Sequence, residues 1–460
     1  PRWTAREACA AASVGYTRQL VGPAALLLGG HRSCTTSATT TQFALALVHQ
    51  LTSASKTPRI LVVTCGAFAS NAAHAVSNVT SGGVWGFTRA LRLEQPSLHV
   101  QSVDVAGSIR FADGLLSSMA HLDSIWQESR SCVRQLRAGV ALPRRHAIFA
   151  CGAYAISGGL GGLGLRSATL LVDGDASRVL LASRGGRVGR DEQGLEAQLS
   201  LLGTFAAVTA CDTGCTSDLS SLLLMSVLAG VLHAAGVLHD RMVRSMASEQ
   251  ISAAFEAKAH GASRMHAAAA HSPYEMMGLF SSVAATFGSI GQANYAAANA
   301  SLDVVARSRR ARGNLVSSLQ IPAVSGAGMG AATFDQSELE SIGGVSLDEF
   351  AACLCASLAV SRAAAECTQA PLLPLVISAL AGTLIELTGT VDVSRTVAKA
   401  APGRALSASL ATLQPSQQRT AIEASVLRVV GELTVAPSAS LTAETPLMDA
   451  GVDSLAATEL

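Results

Sequence analysis

Several residues in the second half of the chain have the types and spacing that the reduction of a ketone would need. Ser281 and Ser282 end an apolar run, and Tyr295 follows thirteen residues after Ser282. Asn299 stands four residues after Tyr295, so a helix would place both on one face. Hydride addition to a ketone requires an acid that protonates the forming alkoxide, and a tyrosine can serve if a nearby cation, here Lys258, lowers its pKa. Ser282 would hold the carbonyl oxygen by a hydrogen bond.

Each of these residues alone is equally compatible with a purely structural role. Ser282 could be an ordinary buried serine, Tyr295 a half-exposed tyrosine and Lys258 a surface lysine. The complete set favours catalysis, because it follows a glycine-rich run of the kind that binds dinucleotides.

That run reads Ser-Gly-Gly-Leu-Gly-Gly-Leu-Gly over residues 157–164, directly after a predicted strand and at the start of a predicted helix. Glycines at this place allow a tight turn and let backbone amides approach a pyrophosphate at the helix N-terminus. The residues expected to bind the cofactor here are Ser157, Gly158, Gly159, Gly161, Gly162, Leu163 and Gly164.

The next predicted strand ends in Ser183-Arg184 instead of an acidic residue. An acidic side chain about 20 positions after the glycines would bind the ribose hydroxyls of NAD, whereas a guanidinium suits a 2′-phosphate. These residues therefore favour NADPH, with an exposed surface arginine as the alternative.

Two further strand ends are weaker candidates. Asp212 follows the third strand, where its carboxylate could hold the adenine amino group, and residues 233–236 end the fourth, where the nicotinamide ribose would pass. The second group consists of His233, Ala234, Ala235 and Gly236. A plain turn fits either place equally well.

The elements that would position these residues form two α/β units in tandem. In the first unit we predict strands at 24–28, 60–65 and 100–105 and helices at 42–51 and 84–93, which is a β-α-β-α-β pattern without a phosphate loop. In the second we predict six strands and four helices, as in a doubly wound sheet. The strands are 153–156, 178–182, 205–210, 227–233, 276–281 and 315–321, and the helices are 162–172, 192–202, 248–269 and 293–312.

The pattern loosens after residue 330. Residues 398–418 are rich in Ala, Ser, Pro and Gln and are typical of a linker, and a new helical pattern starts near residue 420. The predicted domains are 1–145, 146–335, 336–418 and 419–460.

Composition excludes several classes of function. The chain carries 33 Lys and Arg against 32 Asp and Glu, a formal net charge of +1, which gives no electrostatic indication of nucleic acid or an acidic membrane. Two uncharged runs, 222–238 and 368–385, fit buried elements better than membrane spans, because a turn-like Ala-Ala-Gly interrupts the first and two prolines interrupt the second.

The cysteines predict neither a disulfide framework nor a metal site. Cys211-x-x-x-Cys215 and Cys353-x-Cys355 lack the spaced partners of a zinc site, so reduced thiols and no metal are expected. The chain does not begin with methionine, which indicates a fragment, and it shows no secretory signal. The expected location is the cytoplasm, with an organelle as the alternative.

The second unit resembles the ketoreductase domain of modular polyketide synthases, an extended branch of the short-chain dehydrogenase/reductase superfamily. General members of the superfamily carry Tyr-x-x-x-Lys, whereas Asn299 follows Tyr295 here and Lys258 lies upstream, an exchange typical of polyketide and animal fatty-acid ketoreductases. The resemblance implies an NADPH-dependent reductase of carrier-bound β-ketoacyl thioesters, in which Lys258 and Asn299 tune and relay protons. The matching runs are 157–165, 180–184, 233–240, 280–284 and 291–303.

The same resemblance accounts for the first unit. Residues 84–94 (VWGFTRALRLE) are similar to the signature helix of a truncated, non-binding Rossmann-like subdomain that supports the catalytic one in that family. The resemblance covers residues 24–330. The fold class that it implies is α/β: a truncated structural subdomain, a doubly wound NADPH-binding catalytic subdomain, and then the start of an all-α carrier bundle.

That last part rests on residues 445–447 and 451–455, which resemble the start of an acyl carrier protein. In carrier proteins the serine of Asp-Ser-Leu receives 4′-phosphopantetheine, so Ser454 is the expected attachment point, and a helix N-terminus favours a phosphodiester. A plain N-cap serine is the alternative. The implied partners are a phosphopantetheinyl transferase and the ketosynthase, acyltransferase and dehydratase domains of a synthase.

Stereochemical class follows from the same resemblance. Asp240 ends Leu-His-Asp where B-type ketoreductases have Leu-Asp-Asp, Asn294 agrees with that type, and Phe287 stands where A-type enzymes carry tryptophan. Ile290 departs from the usual B-type proline. The balance favours B-type, which gives a D-configured β-hydroxyl.

The region after the sixth strand departs from the family. Residues 321–324 read Ile-Pro-Ala-Val in place of Trp-Gly-x-Trp, before the lid over the nicotinamide and substrate. A catalytically inactive structural ketoreductase is therefore an alternative, and a free-standing short-chain dehydrogenase for small ketones is a third. The complete catalytic set argues against the former, and the carrier-like tail against the latter. Residues 341–397 have no assignment beyond a linker or the closing helices of the fold.

Overall fold

The computed structural model of the chain describes residues 24–27, 37–52, 60–68, 79–106, 122–127, 130–132, 151–189, 193–268, 274–335, 337, 339, 344–360 and 368–369. Ser454 and the carrier-like tail lie outside these residues, as does most of 361–397. The predictions made for them stay predictions.

The first unit is a five-stranded sheet in the order β1-β2-β3-β4-β5, parallel up to β4 and closed by an antiparallel β5. The strands are β1 (Ala24–Leu27), β2 (Ile60–Cys65), β3 (Gln101–Ala106), β4 (Asp123–Gln127) and β5 (Arg130–Cys132). The described helices are α1 (Ser37–Thr52) and α2 (Gly82–Glu94). The three predicted strands and two predicted helices of this unit are confirmed.

Strands β4 and β5 are absent from the sequence-based prediction. They are short, and β4 is fixed by its pairing with β3 and by ion pairs of Asp123 with Arg89 (2.8 Å) and Arg92 (2.7 Å). Burial of Asp123 acts to raise its pKa, but the two arginines outweigh it and lower the pKa to about 2. Such long-range contacts leave no periodic pattern in the sequence.

The second unit is a seven-stranded parallel sheet in the order β12-β11-β10-β9-β6-β7-β8. The order runs outward in both directions from a switch point between β6 and β9, as in doubly wound nucleotide-binding folds. The strands are β6 (Ala153–Ser157), β7 (Arg178–Ser183), β8 (Ala206–Ala210), β9 (Leu228–His233), β10 (Met276–Ser282), β11 (Val316–Ile321) and β12 (Thr368–Gln369). The six predicted strands are confirmed, and β12 adds a seventh.

Helices cover this sheet. They are α3 (Gly162–Asp173), α4 (Leu195–Leu202), α5 (Thr216–Leu224), α6 (Ser248–Phe255), α7 (Gly261–Ala268), α8 (Ala284–Phe287), α9 (Ala293–Arg310), α10 (Met329–Thr333) and α11 (Leu347–Val360). A π-helical turn, Glu256–His260, joins α6 to α7. The helix predicted at 248–269 is therefore confirmed with a local irregularity, and this irregular turn carries Lys258.

The structure assigns elements to the apolar run 222–238 and to part of the region 341–397. Residues 222–238 contain the end of α5 and all of β9, and the region without an assignment contributes α11 and β12. No helix in the described ranges has the length and apolar content that a bilayer crossing needs.

The two units share a core between α2 and α9. A Cβ added to Gly86 would overlap the carbonyl oxygen of Ala296, and one added to Gly82 would lie 3.1 Å from the Ser301 Cα, so the helix backbones are in direct contact. Trp85, with 1% of its surface exposed, is buried in the same core. The first unit therefore supports the helix that carries Tyr295.

Candidate active site

The glycine-rich loop forms a narrow cradle between β6 and α3. Gly158 has a φ of +69°, and a Cβ there would lie 2.7 Å from the Ala235 amide nitrogen. A Cβ on Gly159 would lie 2.6 Å from the Ile156 carbonyl oxygen. A side chain at either position would fill this cradle, so the loop fits a phosphate group that approaches the backbone amides at the start of α3.

The segment after β11 closes over the start of α3. A Cβ on Gly162 would come within 2.5 Å of the Gly328 amide nitrogen. Gln193 holds Gly328 from the other side, since its Oε1 accepts from the Gly328 amide (2.9 Å) and its Nε2 donates to the Gly328 carbonyl (3.1 Å). Val324 pairs with Val345 in an isolated bridge. Backbone pairing thus orders a segment in which the expected tryptophans are missing.

A turn after β7 presents two arginines to solvent. The Ser183 hydroxyl donates to the Arg187 carbonyl at 3.4 Å, and Arg184 and Arg187 are both exposed. Arg184 is the predicted 2′-phosphate contact, while Arg187 was missed by sequence reasoning. Its place three residues after Arg184, in the same turn, is the signal that would have identified it.

Asp212 follows β8 and forms a hydrogen bond within its own turn. It is exposed, and its Oδ1 accepts from the Gly214 amide in its own turn at 2.9 Å. The predicted contact with adenine remains a prediction.

His233 is buried and forms hydrogen bonds with two separate segments. Its Nε2 lies 2.8 Å from the Lys258 carbonyl, which can only accept, so this nitrogen carries the proton. Its Nδ1 then accepts from the Ser157 hydroxyl at 2.6 Å. Burial lowers the pKa of His233 to about 4, so the ring is neutral at physiological pH. Through it the glycine loop is joined to the π-helical turn.

Lys258 extends from that turn into the site. Its side chain is 3% exposed, and its Nζ donates to the Phe280 carbonyl of β10 at 2.9 Å. Burial lowers its pKa to about 8, against the opposing charge of Asp303. Gly236 lies close beside it, because a Cβ there would be 2.8 Å from the Lys258 Cε.

Tyr295 lies in the first turn of α9 beside these groups. The Lys258 Nζ is 5.4 Å from the centre of its ring. Burial raises the pKa of Tyr295, opposed by hydrogen bonds from Ser282 and Asn299, and the nearby charge of Asp240 raises it further. The net direction is upward although the Lys258 ammonium lies near the ring, so the effect that was predicted for Lys258 stays a prediction. Tyr295 therefore holds its proton at neutral pH.

Ser282 and Asn299 complete the group. The Ser282 Oγ accepts from the Ala284 amide at 3.2 Å, and its hydroxyl is also a hydrogen-bond partner of Tyr295. The Asn299 Nδ2 donates to the Tyr295 carbonyl at 2.9 Å, and its buried Oδ1 has no hydrogen-bond partner within the described part of the chain. An unsatisfied acceptor of this kind is uncommon and fits a group that accepts a hydrogen bond from a ligand or water.

The two residues predicted to control stereochemistry differ in their surroundings. Asp240 is exposed and accepts from the Gln292 Nε2 at 2.9 Å. Asn294 is fully buried: its Nδ2 donates to the His239 carbonyl (3.0 Å), and its Oδ1 accepts from the Tyr295 amide (2.8 Å). Asn294 thus ties the segment before Asp240 to the first turn of α9, and its role in stereochemistry stays a prediction.

A buried network behind the site was also missed. The Asp303 carboxylate accepts from the Ser318 hydroxyl (2.6 Å) and the Gln320 amide (2.7 Å), and Gln320 accepts from the Thr286 hydroxyl (2.8 Å). Asp303 also stabilises the charge on Lys258. In sequence it is one acidic residue on a helix, and only the fold brings it near the lysine. Among the described residues no group of His, Cys, Asp or Glu could hold a metal ion.

A doubly wound sheet with a glycine cradle at its switch point defines a Rossmann-like fold of the dinucleotide-binding class. Residues 152–326 match the family model of the KR domain. This part of the chain is a ketoreductase-type domain of the polyketide-synthase kind, a class of oxidoreductases.

Relatives and a solved structure agree with this assignment. The chain is 36% identical over 273 residues to polyketide synthase GfsA of Streptomyces halstedii, which covers 57% of this chain and 4% of that protein. It is 33% identical over 333 residues to the spectinabilin polyketide synthase system protein NorB of Streptomyces orinoci, which covers 67% of this chain and 15% of that protein. An A-type ketoreductase structure from a modular polyketide synthase superposes with a TM-score of 0.64 at 29% identity, over 70% of this chain and 71% of that one. The chain thus spans only a small part of the curated relatives.

Proposed function

We propose that this chain reduces a carrier-bound β-ketoacyl thioester to a β-hydroxyacyl thioester with NADPH. The observation that carries the proposal is the convergence of Lys258, Ser282, Tyr295 and Asn299 beside the glycine cradle. Each comes from a different part of the second unit or a different turn of α9, and the fold brings them to one edge of the sheet.

NADPH, when bound, supplies the hydride that adds to the β-carbon of the substrate. The glycine loop and the exposed Arg184 and Arg187 are suited to its phosphates. The Ser282 hydroxyl donates to the substrate carbonyl oxygen, and Tyr295 delivers the proton that this oxygen takes up as the C=O bond becomes C–OH. Because its pKa is raised, Tyr295 begins the reaction protonated.

Lys258 and Asn299 restore the proton on Tyr295. The Asn299 Oδ1, buried and unpartnered among the described residues, is placed to accept a hydrogen bond from a water that returns this proton. Lys258 adds a positive charge beside the ring, which stabilises the tyrosinate left after transfer.

The finer assignments extend from the family resemblance. The substrate would arrive on 4′-phosphopantetheine, and Ser454 of this chain would be one attachment point after action of a phosphopantetheinyl transferase. Ketosynthase, acyltransferase and dehydratase domains are the proposed neighbours. Asp240, whose charge acts on the pKa of Tyr295, is the residue on which the proposed B-type stereochemistry rests.

The test is reduction of a β-ketoacyl thioester mimic by the full chain, followed through NADPH absorbance with NADH in parallel. We expect oxidation of NADPH in preference to NADH and a D-configured product. Tyr295→Phe should abolish turnover and keep NADPH binding, whereas Tyr274→Phe is the matched control, because Tyr274 is partly buried and its hydroxyl donates to the Met265 carbonyl.

Other outcomes are equally informative. NADPH binding without oxidation would favour the inactive structural alternative. Wild-type turnover in Tyr295→Phe would remove this residue from the mechanism, and an L-configured product would overturn the B-type assignment.

A further inference from the structure

Glu94, the last residue of α2, is bound to two separate segments of the second unit. Its Oε2 accepts from the Val243 amide at 2.5 Å, and its Oε1 accepts from the Gly291 amide at 3.0 Å. The catalytic scheme above does not use it. Both oxygens of this half-buried carboxylate accept hydrogen bonds from backbone amides that are distant in sequence, which a helix end does not by itself require.

The two segments that Glu94 holds adjoin Asp240 and Tyr295, because Val243 lies three residues after Asp240 and Gly291 lies four residues before Tyr295. They are joined directly, because the Arg241 amide donates to the Gly291 carbonyl at 2.6 Å. Gln292, the next residue, donates to the Asp240 carboxylate at 2.9 Å. Glu94 therefore lies at the base of a cluster, residues 240–243 with 291–292, that ends where α9 begins.

A second side chain of the first unit holds the same point. The His49 Nε2 donates to the Val243 carbonyl at 2.6 Å, so Val243 has its amide bound by α2 and its carbonyl by α1. Val243 itself is completely buried. The backbone at this position cannot shift without breaking hydrogen bonds to two helices of the other unit.

The chemistry of the contact requires a carboxylate. Both partners of Glu94 are backbone N–H donors, and a carboxylate offers two acceptors. A glutamine offers one acceptor, and its NH₂ group would face the second N–H. Glu94→Gln thus removes one hydrogen bond with almost no change of volume.

We propose that Glu94 is a positioning residue that sets the placement of Asp240 relative to Tyr295. The consequence of this role, control of the orientation of the ketone, rests on the proposed reductase function; the positioning itself does not. Glu94 does not touch substrate or cofactor, and it acts through Val243 and Gly291. The first unit therefore contributes to substrate orientation as well as to stability.

The experiment compares wild type, Glu94→Gln and a matched control in the full chain. Gln42→Ala is the control, because Gln42 also links the first unit to the second, donating to the Ser248 carbonyl (3.2 Å) and the Ser252 hydroxyl (2.7 Å), but away from the cluster. Three quantities are measured: hydrogen–deuterium exchange of peptides, NADPH affinity, and kcat, KM and product configuration with a β-ketoacyl thioester mimic.

We expect Glu94→Gln to speed exchange over 240–243 and 289–292, to lower kcat/KM about 10- to 100-fold as misplaced groups do, and to produce a mixture of β-hydroxyl configurations. NADPH affinity should stay at the wild-type value, since the glycine cradle is elsewhere. Gln42→Ala should keep wild-type configuration and exchange in the cluster.

Two results would overturn the inference: unchanged exchange in the cluster, or lower activity in Glu94→Gln with a product as pure as that of the wild type. If the wild type itself reduces no β-ketoacyl thioester, the proposed function fails. The exchange data then decide separately whether Glu94 fixes the cluster.

Discussion

Lys258 is a buried lysine whose charge the protein must maintain with few partners. Burial lowers its pKa to about 8, and the Asp303 charge offsets only part of that effect. The ammonium is therefore close to losing its proton in mildly alkaline solution, at a pH where an exposed lysine would remain charged. If the positive charge supports proton delivery by Tyr295, activity must follow its titration.

We expect the initial rate of reduction to fall as the pH rises through about 8, because the fraction of charged Lys258 falls there. The measurement is the initial rate with saturating NADPH and thioester mimic across this range. NADPH affinity measured at each pH is the control, since loss of binding would mimic the effect. A flat profile to pH values well above 8 would show that the charge of Lys258 is dispensable.

The arginine turn after β7 gives a second prediction for single residues. Arg184→Ala should weaken NADPH binding about 10- to 100-fold, the contribution of charge-assisted hydrogen bonds, and leave NADH binding unchanged. Arg178→Ala is the matched control, since Arg178 is also exposed but begins the same strand. Titration of each variant with both cofactors is the measurement. Unchanged NADPH binding would assign Arg184 to the surface, and Arg187→Ala would then be tested in the same way. An equal loss for NADPH and NADH would place Arg184 against a part that the two cofactors share.

The positions of single residues were predictable where the residue follows a parallel strand, because the carboxyl ends of such strands meet at one edge of the sheet. Ser282, Arg184 and the glycines follow strands that alternate regularly, so their place at one edge of the sheet follows from the sequence. The surroundings of each group were not predictable. The pKa of Tyr295 depends first on its burial, which only the fold determines. The π-helical turn that places Lys258 beside the ring has no sequence pattern of its own.

Among the helices and strands, too, some were predictable from the sequence and others were not. Strands and helices with a continuous apolar pattern agree with the structure to within a few residues. Helix α5 was missed because its sequence, TSDLSSLLL, alternates poorly and its apolar end continues into the run before β9. Leu224 and Val227, with 71% and 92% of their surface exposed, show that this run is not a uniformly buried segment. The apolar composition therefore predicted an element in this region, but it did not predict where α5 ends and β9 begins.

The contact of helix α2 with helix α9 leads to a prediction about stability. Because a Cβ on Gly86 would overlap the Ala296 carbonyl, Gly86→Ala must separate α2 from α9, and we expect a loss of about 1–3 kcal/mol or more in the free energy of unfolding. Thermal and denaturant unfolding measure it. Gly189→Ala is the control, since no atom lies within 4 Å of the Cβ that it adds. Equal stability of the two variants would mean that the helices adjust without cost.

At the level of the whole described molecule, the first sheet shares one apolar core with helices of the second unit. Ile60 and Val62 of β2 belong to this core, as do Trp85 of α2 and Ala296 of α9, and the same cluster includes Phe255 beside the turn that holds Lys258. A shared core couples the unfolding of its parts. The first unit, which has no phosphate loop, should therefore respond to a ligand of the second.

That coupling leads to a final prediction. A ligand that binds only the folded state slows exchange of amides that open by global unfolding, by about 100-fold at a concentration 100 times its Kd. We expect NADPH to slow exchange in β2 and β3, although the glycine cradle lies in the other sheet. Hydrogen–deuterium exchange of these strands with and without NADPH is the measurement, and Arg184→Ala at the same NADPH concentration is the control, since weaker binding should reduce the protection. Protection confined to the second sheet would show that the units unfold independently and that their common core transmits no stability.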